Sequence, residues 1–154
     1  ETIGALEGGG SVTLGGTLQT GASNASTAFA GVISGNGSLV KVGAGNMTLS
    51  GDNTYTGATV VSQGTLTLAG TLADGSALSI AGGATVEVTH VGADNAGSLS
   101  GNGTLNVGPS SFFGVGADAD RRAPEPGAVG DVDRRTVDLL GRDEIAGLVL
   151  GQLV

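Results

Sequence analysis

Short runs along this chain alternate aliphatic with polar residues, and each run opens on a glycine. Gly45–Leu49 (GNMTL), Gly64–Leu68 (GTLTL), Gly83–Val88 (GATVEV) and Gly103–Val107 (GTLNV) share this form. A period of two turns one set of side chains inward and the other toward water, so each run predicts a half-buried strand. The leading glycines fall 19, 19 and 20 residues apart. Met47, Leu66, Val86 and Leu105 are therefore expected to stack as one inward column, and Leu49, Leu68, Val88 and Val107 as a second. A companion set of strands precedes them at Leu39 to Val42, Thr59 to Val61, Leu78 to Ile80 and Ser98 to Ser100. Two short strands per twenty or so residues, joined by Gly, Asn, Asp and Ser turns, predict a parallel β-solenoid. Its rungs stack about 4.8 Å apart, which demands similar aliphatic side chains from one rung to the next.

A longer echo aligns Glu1–Gly15 with Asp94–Gly108 without gaps, matching Gly4, Leu6, Gly8, Gly10 and Gly15 to Gly97, Leu99, Gly101, Gly103 and Gly108. Thr27–Val32 likewise recurs as Ser110–Val115. The pattern stops at Ala117–Arg135, which holds two of the three prolines and four of the six basic residues. Proline cannot donate to a sheet ladder, so this stretch reads as a charged loop or excursion. Thr136–Leu139 resembles Thr85–Val88 and predicts a return to solenoid strands over 136–154. The competing element there is a capping helix from Val137 to Leu153 with Leu140, Ile145, Leu148, Val149 and Leu153 on one face. Gly141, Gly147 and Gly151 each weaken that helix by about 1 kcal/mol. Residues 1–116 are thus expected to be β-helix repeats, 117–135 an excursion and 136–154 further solenoid. Both ends break inside a repeat, as in a piece of a longer array.

Composition narrows the possibilities. Thirty-one glycines without a G-X-Y period exclude collagen, and no apolar run reaches the roughly 18 residues that a membrane span needs. Leu, Ile, Val and Phe still make up about a quarter of the chain, enough for an aliphatic core. A net charge of −8, with Lys41 the single lysine, speaks against nucleic acid as a partner. Without cysteine there is no disulfide, zinc-thiolate site or thiol nucleophile.

Gly31–Gly45 (GVISGNGSLVKVGAG), Thr48–Gly57 (TLSGDNTYTG) and Gly64–Leu68 closely resemble the passenger-associated strand repeat of Gram-negative autotransporters. The resemblance covers residues 31 to 68, with degenerate rungs out to about 116. It implies a right-handed, single-stranded parallel β-helix, and display at the cell surface or secretion by a type V route. It also implies a partner outside this sequence, the C-terminal outer-membrane β-barrel translocator. The expected role is that of a rigid β-helical stalk serving adhesion or presentation, with a host surface or an extracellular polysaccharide as its partner. The family's repeat brings no catalytic residue. Within it, Asn53, Thr54, Tyr55 and Thr56 read as a turn, with the Tyr55 hydroxyl in water.

No constellation identifies a reaction, a cofactor or a metal. The acid pairs Asp118/Asp120, Asp131/Asp133 and Asp143/Glu144, with Arg121 and Arg122 nearby, are the only basis for a β-helical polysaccharide lyase or glycosidase. Charges on an excursion are more simply solvated. Asp74 and Asp94 sit at similar places in successive rungs, but one carboxylate per rung is too few for calcium. His90, the single histidine, has no triad partners and reads as an exposed turn residue. The outward series Asn46/Thr48, Thr65/Thr67, Thr85/Glu87 and Thr104/Asn106 is too mixed for an ice-binding face; a carbohydrate-binding solenoid stays as an alternative that needs a flat polar or aromatic face, and the chain has one Tyr and three Phe. The triplets at Asn24, Asn46 and Asn102 follow from composition and imply no glycan. The expectation is a structural segment, not an enzyme.

Overall fold

A computed structural model describes residues 1–115 and the strand Arg135–Asp138. Every regular element in it is a strand, and the chain winds so that each coil lies parallel on the one before. The opening coil carries β1 (Ser11–Leu14). The second holds β2 (Leu18–Thr20), β3 (Thr27–Phe29) and β4 (Val32–Gly35). The third holds β5 (Leu39–Lys41) and β6 (Asn46–Leu49), and the fourth β7 (Thr59–Val61) and β8 (Thr65–Leu68). The fifth has β9 (Ala77–Ile80), β10 (Thr85–Val88) and β11 (Gly92–Ala96). The last has β12 (Ser98–Gly101), β13 (Thr104–Val107) and β14 (Ser111–Val115).

The coil has three sides. One sheet stacks β2, β5, β7, β9 and β12, and a second stacks β3, β6, β8, β10 and β13. The third side is paired as β1 with β4 and β11 with β14. Between those pairs, residues 53–56 and 71–75 continue the side without regular strands, through bonds such as Thr54 N to Ile33 O and Asn53 N to Thr71 O. The alternation of the first two sides is legible in sequence. The third side was not anticipated, because polar Asn53, Thr54 and Thr56 occupy it where the pattern of two has lapsed.

Register follows the expected columns. Met47 pairs with Leu66, Leu66 with Val86 and Val86 with Leu105. Leu39, Met47, Leu49, Leu66, Leu68, Val86, Val88 and Leu105 are all buried, whereas Val107, in the last coil, is only partly so. Each buried aliphatic side chain contributes on the order of 1.5–3 kcal/mol. No single coil can offset its own backbone entropy that way, so the stack is the folding unit.

The echoes in sequence are not echoes in space. β1 lies on the third side, while the residues aligned with it form β13 on the second. Thr27–Phe29 is β3 on the second side, while its counterpart falls in β14 on the third. Both likenesses are displaced by one side, because a glycine followed by an alternating strand suits any side of the coil.

Glycines mark the three corners. Gly31, Gly51 and Gly70 stand above one another, and a methyl group at Gly51 or Gly70 would overlap the carbonyl oxygen of the glycine below. Gly37 and Gly57 rise above Gly16 in a second column, and Gly43 and Gly64 above Gly21 in a third, with the same overlap. Only a residue without Cβ lets backbone approach backbone this closely at each turn.

A final strand, β15 (Arg135–Asp138), lies antiparallel on β13 and occupies its open edge. It sits where the sequence suggested renewed strand structure, but it runs against the coils. Arg135, expected within the excursion 117–135, opens this strand, and the rest of the excursion and of 136–154 lies outside the described residues.

Candidate functional site: polar groups inside the coils

Apart from Asp94 and His90, the charged or strongly polar side chains with sequence claims to chemistry do not gather inside the solenoid. Asp74 is exposed, and the acid pairs at 118/120, 131/133 and 143/144 lie outside the described residues. Among the described residues, no group of three or more His, Cys, Asp or Glu side chains could hold a metal ion. What the fold does bring inside is a different set: Lys41, Asn53, Tyr55, Thr59 and Asp94.

Lys41 sits in an inward column of the first side, between Thr20 and Val61. Its ammonium reaches the corner and donates to the carbonyls of Val42 and Gly43, each at 2.8 Å, and of Gln63 at 3.3 Å. Burial pushes the ammonium down from its ordinary range. Three carbonyl acceptors on two successive coils match its three donors. Lys41 therefore clamps a corner and offers no free amine for chemistry.

Asn53 and Tyr55 overturn the expectation of a wet turn. Both are buried, at 2% and 1% exposure. Asn53 Oδ1 accepts from the Ile33 amide on the coil below at 3.0 Å, and its Nδ2 donates to the carbonyls of Gly51 and Thr71 at 2.8 and 3.1 Å. One side-chain amide thus bonds three successive coils and replaces the ladder that irregular backbone would forfeit. The Tyr55 ring fills the core beside it, and its hydroxyl meets Thr59 Oγ1 at 2.6 Å. Burial pushes the phenol up to about 12, moderated by that bond.

Two coils higher, Asp94 repeats the role of Asn53. Its Oδ1 accepts from the Leu72 amide at 3.1 Å. The other oxygen has no hydrogen-bond donor among the described residues and faces His90 Nε2 at 3.6 Å. Contrary to expectation His90 is not an exposed turn residue: its side chain is 7% exposed, against 2% for Asp94. Burial pushes the Asp94 carboxyl above the usual carboxylate range; His90 and the Leu72 amide draw it back, and the charges of Asp74 and Asp52 add to the rise.

The outward Asn and Thr positions of the second side are half-exposed and in register, and Thr67 Oγ1 donates to Asn46 Oδ1 at 3.1 Å. Asn24, the one non-glycine residue with positive φ (59°) among the described residues, uses its Oδ1 to accept from the Ala44 amide on the next coil at 2.9 Å. Exposed Asn102 lies over Gly82. These polar groups knit coils together. Sequence reading missed Asn53 and Tyr55 because local composition cannot separate a turn from a buried side of a coil. The available signal was that the chain's one tyrosine stands four residues before a threonine in a strand.

Comparison with known proteins places these groups. The family model of the passenger-associated-transport-repeat matches residues 39–68, the segment that holds Lys41, Asn53, Tyr55 and Thr59. The chain is 40% identical to an extracellular serine protease of Serratia marcescens over 75 residues, which is 49% of this chain and 6% of that protein. It is 39% identical to the adhesin BmaC autotransporter of Brucella suis biovar 1 over 121 residues, 75% of this chain and 3% of that protein. The chain thus spans only a small part of the curated relatives' length. No solved structure matches it. Residues 39–68 carry the passenger-associated-transport-repeat, and the coils on either side continue its geometry.

Proposed function

We propose that this segment is a rigid spacer in the passenger of an autotransporter, carried to the cell surface or released, where it holds other parts of the protein away from the envelope. The observation that carries this reading is where the repeat keeps its polar groups. Lys41, Asn53, Tyr55 and Thr59 are buried and bonded to neighbouring coils, so the most distinctive residues of the matched repeat serve cohesion. Residues 1–116 act as the coil array and 117–135 as an excursion from it. The translocating partner is a C-terminal outer-membrane barrel elsewhere in the parent protein. Adhesion by the parent is consistent with the adhesin named among the relatives.

The reading is tested by placing the 154-residue chain between a signal peptide and an outer-membrane barrel in a Gram-negative host. Externally added protease should reach the chain on intact cells. Retention in the periplasm, with the barrel itself correctly inserted, would count against it.

A further inference from the structure

The corner column of Gly31, Gly51 and Gly70 ends at the fifth coil, where Thr89, His90 and Val91 make the turn. Side chains at this corner must go somewhere. Val91 projects into solvent at 83% exposure, whereas the His90 side chain turns in toward Asp94. Above Asp94 in register lies Phe113 of β14, and below it the Leu72 amide donates to Oδ1. Ser111, also on β14, donates to the His90 carbonyl. The pair is thus enclosed by the last coil and tied to the one beneath. Yet Asp94 Oδ2 and both His90 ring nitrogens lack hydrogen-bond partners among the described residues. The charged groups that bear on the site from the coils below are the carboxylates Asp74 and Asp52. No Lys or Arg approaches from β10, β11 or β14, whose residues include none.

Asn53 supplies the comparison inside the same molecule. It makes the same bond to the coil below, and its amide nitrogen also finds two acceptors. Asp94 has an oxygen where Asn53 has that nitrogen, and an ionised carboxylate has no proton to give. Neutral His90 can offer one ring N–H to Oδ2 but leaves the enclosed pair with a net negative charge, and a single proton taken up by the pair removes that charge.

We propose that His90 and Asp94 form a proton-operated latch that winds the last two coils, β9 to β14, more tightly in mild acid than at neutral pH. The sign follows from linkage: burial beside Phe113 raises the Asp94 carboxyl above its usual range, so the wound form holds a proton there that the unwound form gives up, and the added stability is present at low pH and is lost as pH rises. On a chain exposed outside the cell, the pH of the medium then sets how firmly this end of the solenoid stays closed.

Native-state hydrogen exchange on the 154-residue chain tests this, with protection factors used so that the intrinsic pH dependence of exchange cancels. Between about pH 8 and about pH 4.5, amides of β10, β11, β13 and β14 should gain about tenfold in protection relative to those of β5 to β8. Asp94→Asn should be as protected at the higher pH as the wild type is in acid, and flat in between. His90→Gln should lose most of the response. A wild-type response no larger at the C-terminal coils than elsewhere would overturn the latch. So would an unchanged response in Asp94→Asn or His90→Gln.

Discussion

Tyr55 shows how much one residue's reading depends on which side of the coil it occupies. In sequence, Asn53, Thr54, Tyr55 and Thr56 have the composition of a surface turn, and nothing in their spacing distinguishes that from a buried stretch. In the fold the phenol is enclosed and bonded to Thr59. Its proton is therefore held to about 12, against an ordinary value near 10. As the folded value is raised, Tyr55 contributes stability that is complete below the ordinary phenol range and is lost as pH rises from about 10 to about 12. A shift of that size corresponds to roughly 3 kcal/mol. Because the chain has one tyrosine and no tryptophan, phenolate absorbance reports this group alone. The native chain should titrate near its unfolding limit at about 12, and the urea-unfolded chain at about 10. A native midpoint at the ordinary value would place the ring in water after all. Tyr55→Phe leaves the Thr59 hydroxyl buried without its partner and should cost about 1–2 kcal/mol in denaturant unfolding.

Among elements, the strands of the first two sides were legible because inward and outward residues differ in kind. Leu66 and Leu68 point in while Thr65 and Thr67 are half-exposed, and the neighbouring coils repeat that pattern. The corners were legible only as glycine-rich turns. Their glycines divide into two groups that sequence does not separate. Gly51 sits in a corner column where a methyl group would meet the Gly31 carbonyl, while Gly15 precedes a corner with nothing near its missing Cβ. Gly51→Ala should destabilise the chain by more than about 1 kcal/mol, because a backbone must move and successive coils share the strain. Gly15→Ala should be neutral or gain up to about 1 kcal/mol by restricting the unfolded chain. Equal effects in thermal unfolding would mean that the columns do not set the coil spacing. The same ambiguity misled the long echo: Gly10–Leu14 and Gly103–Val107 match as strings but stand on different sides.

At the scale of the whole molecule, the open question is whether the coils fold as one body or as beads. Every described parallel strand pairs only with the coil before or after it, so stability passes from neighbour to neighbour. Leu66 lies at the centre of that chain of contacts, fully buried between Met47 below and Val86 above. A carboxylate there would be a buried charge with no partner among the residues that touch it in register, a change that exceeds what one coil can absorb. Leu66→Asp should therefore remove hydrogen-exchange protection from β5 to β10 together, with β13 following. Loss confined to β8 would show that each coil is held by its own turns. The complementary change preserves register. Leu78 and Leu99 are paired on adjacent coils, so deleting residues 78–98 removes one coil and sets Leu99 where Leu78 was. Leu39, Thr59 and Leu99 then continue the inward column. That variant should keep a cooperative transition at lower midpoint. Deleting only 78–88 joins the first side to the third, points inward residues at the wrong neighbours, and should abolish the transition. If the two deletions unfold alike, the solenoid is not built from interchangeable coils. If they differ as described, the length of this spacer can change by whole coils without loss of its fold.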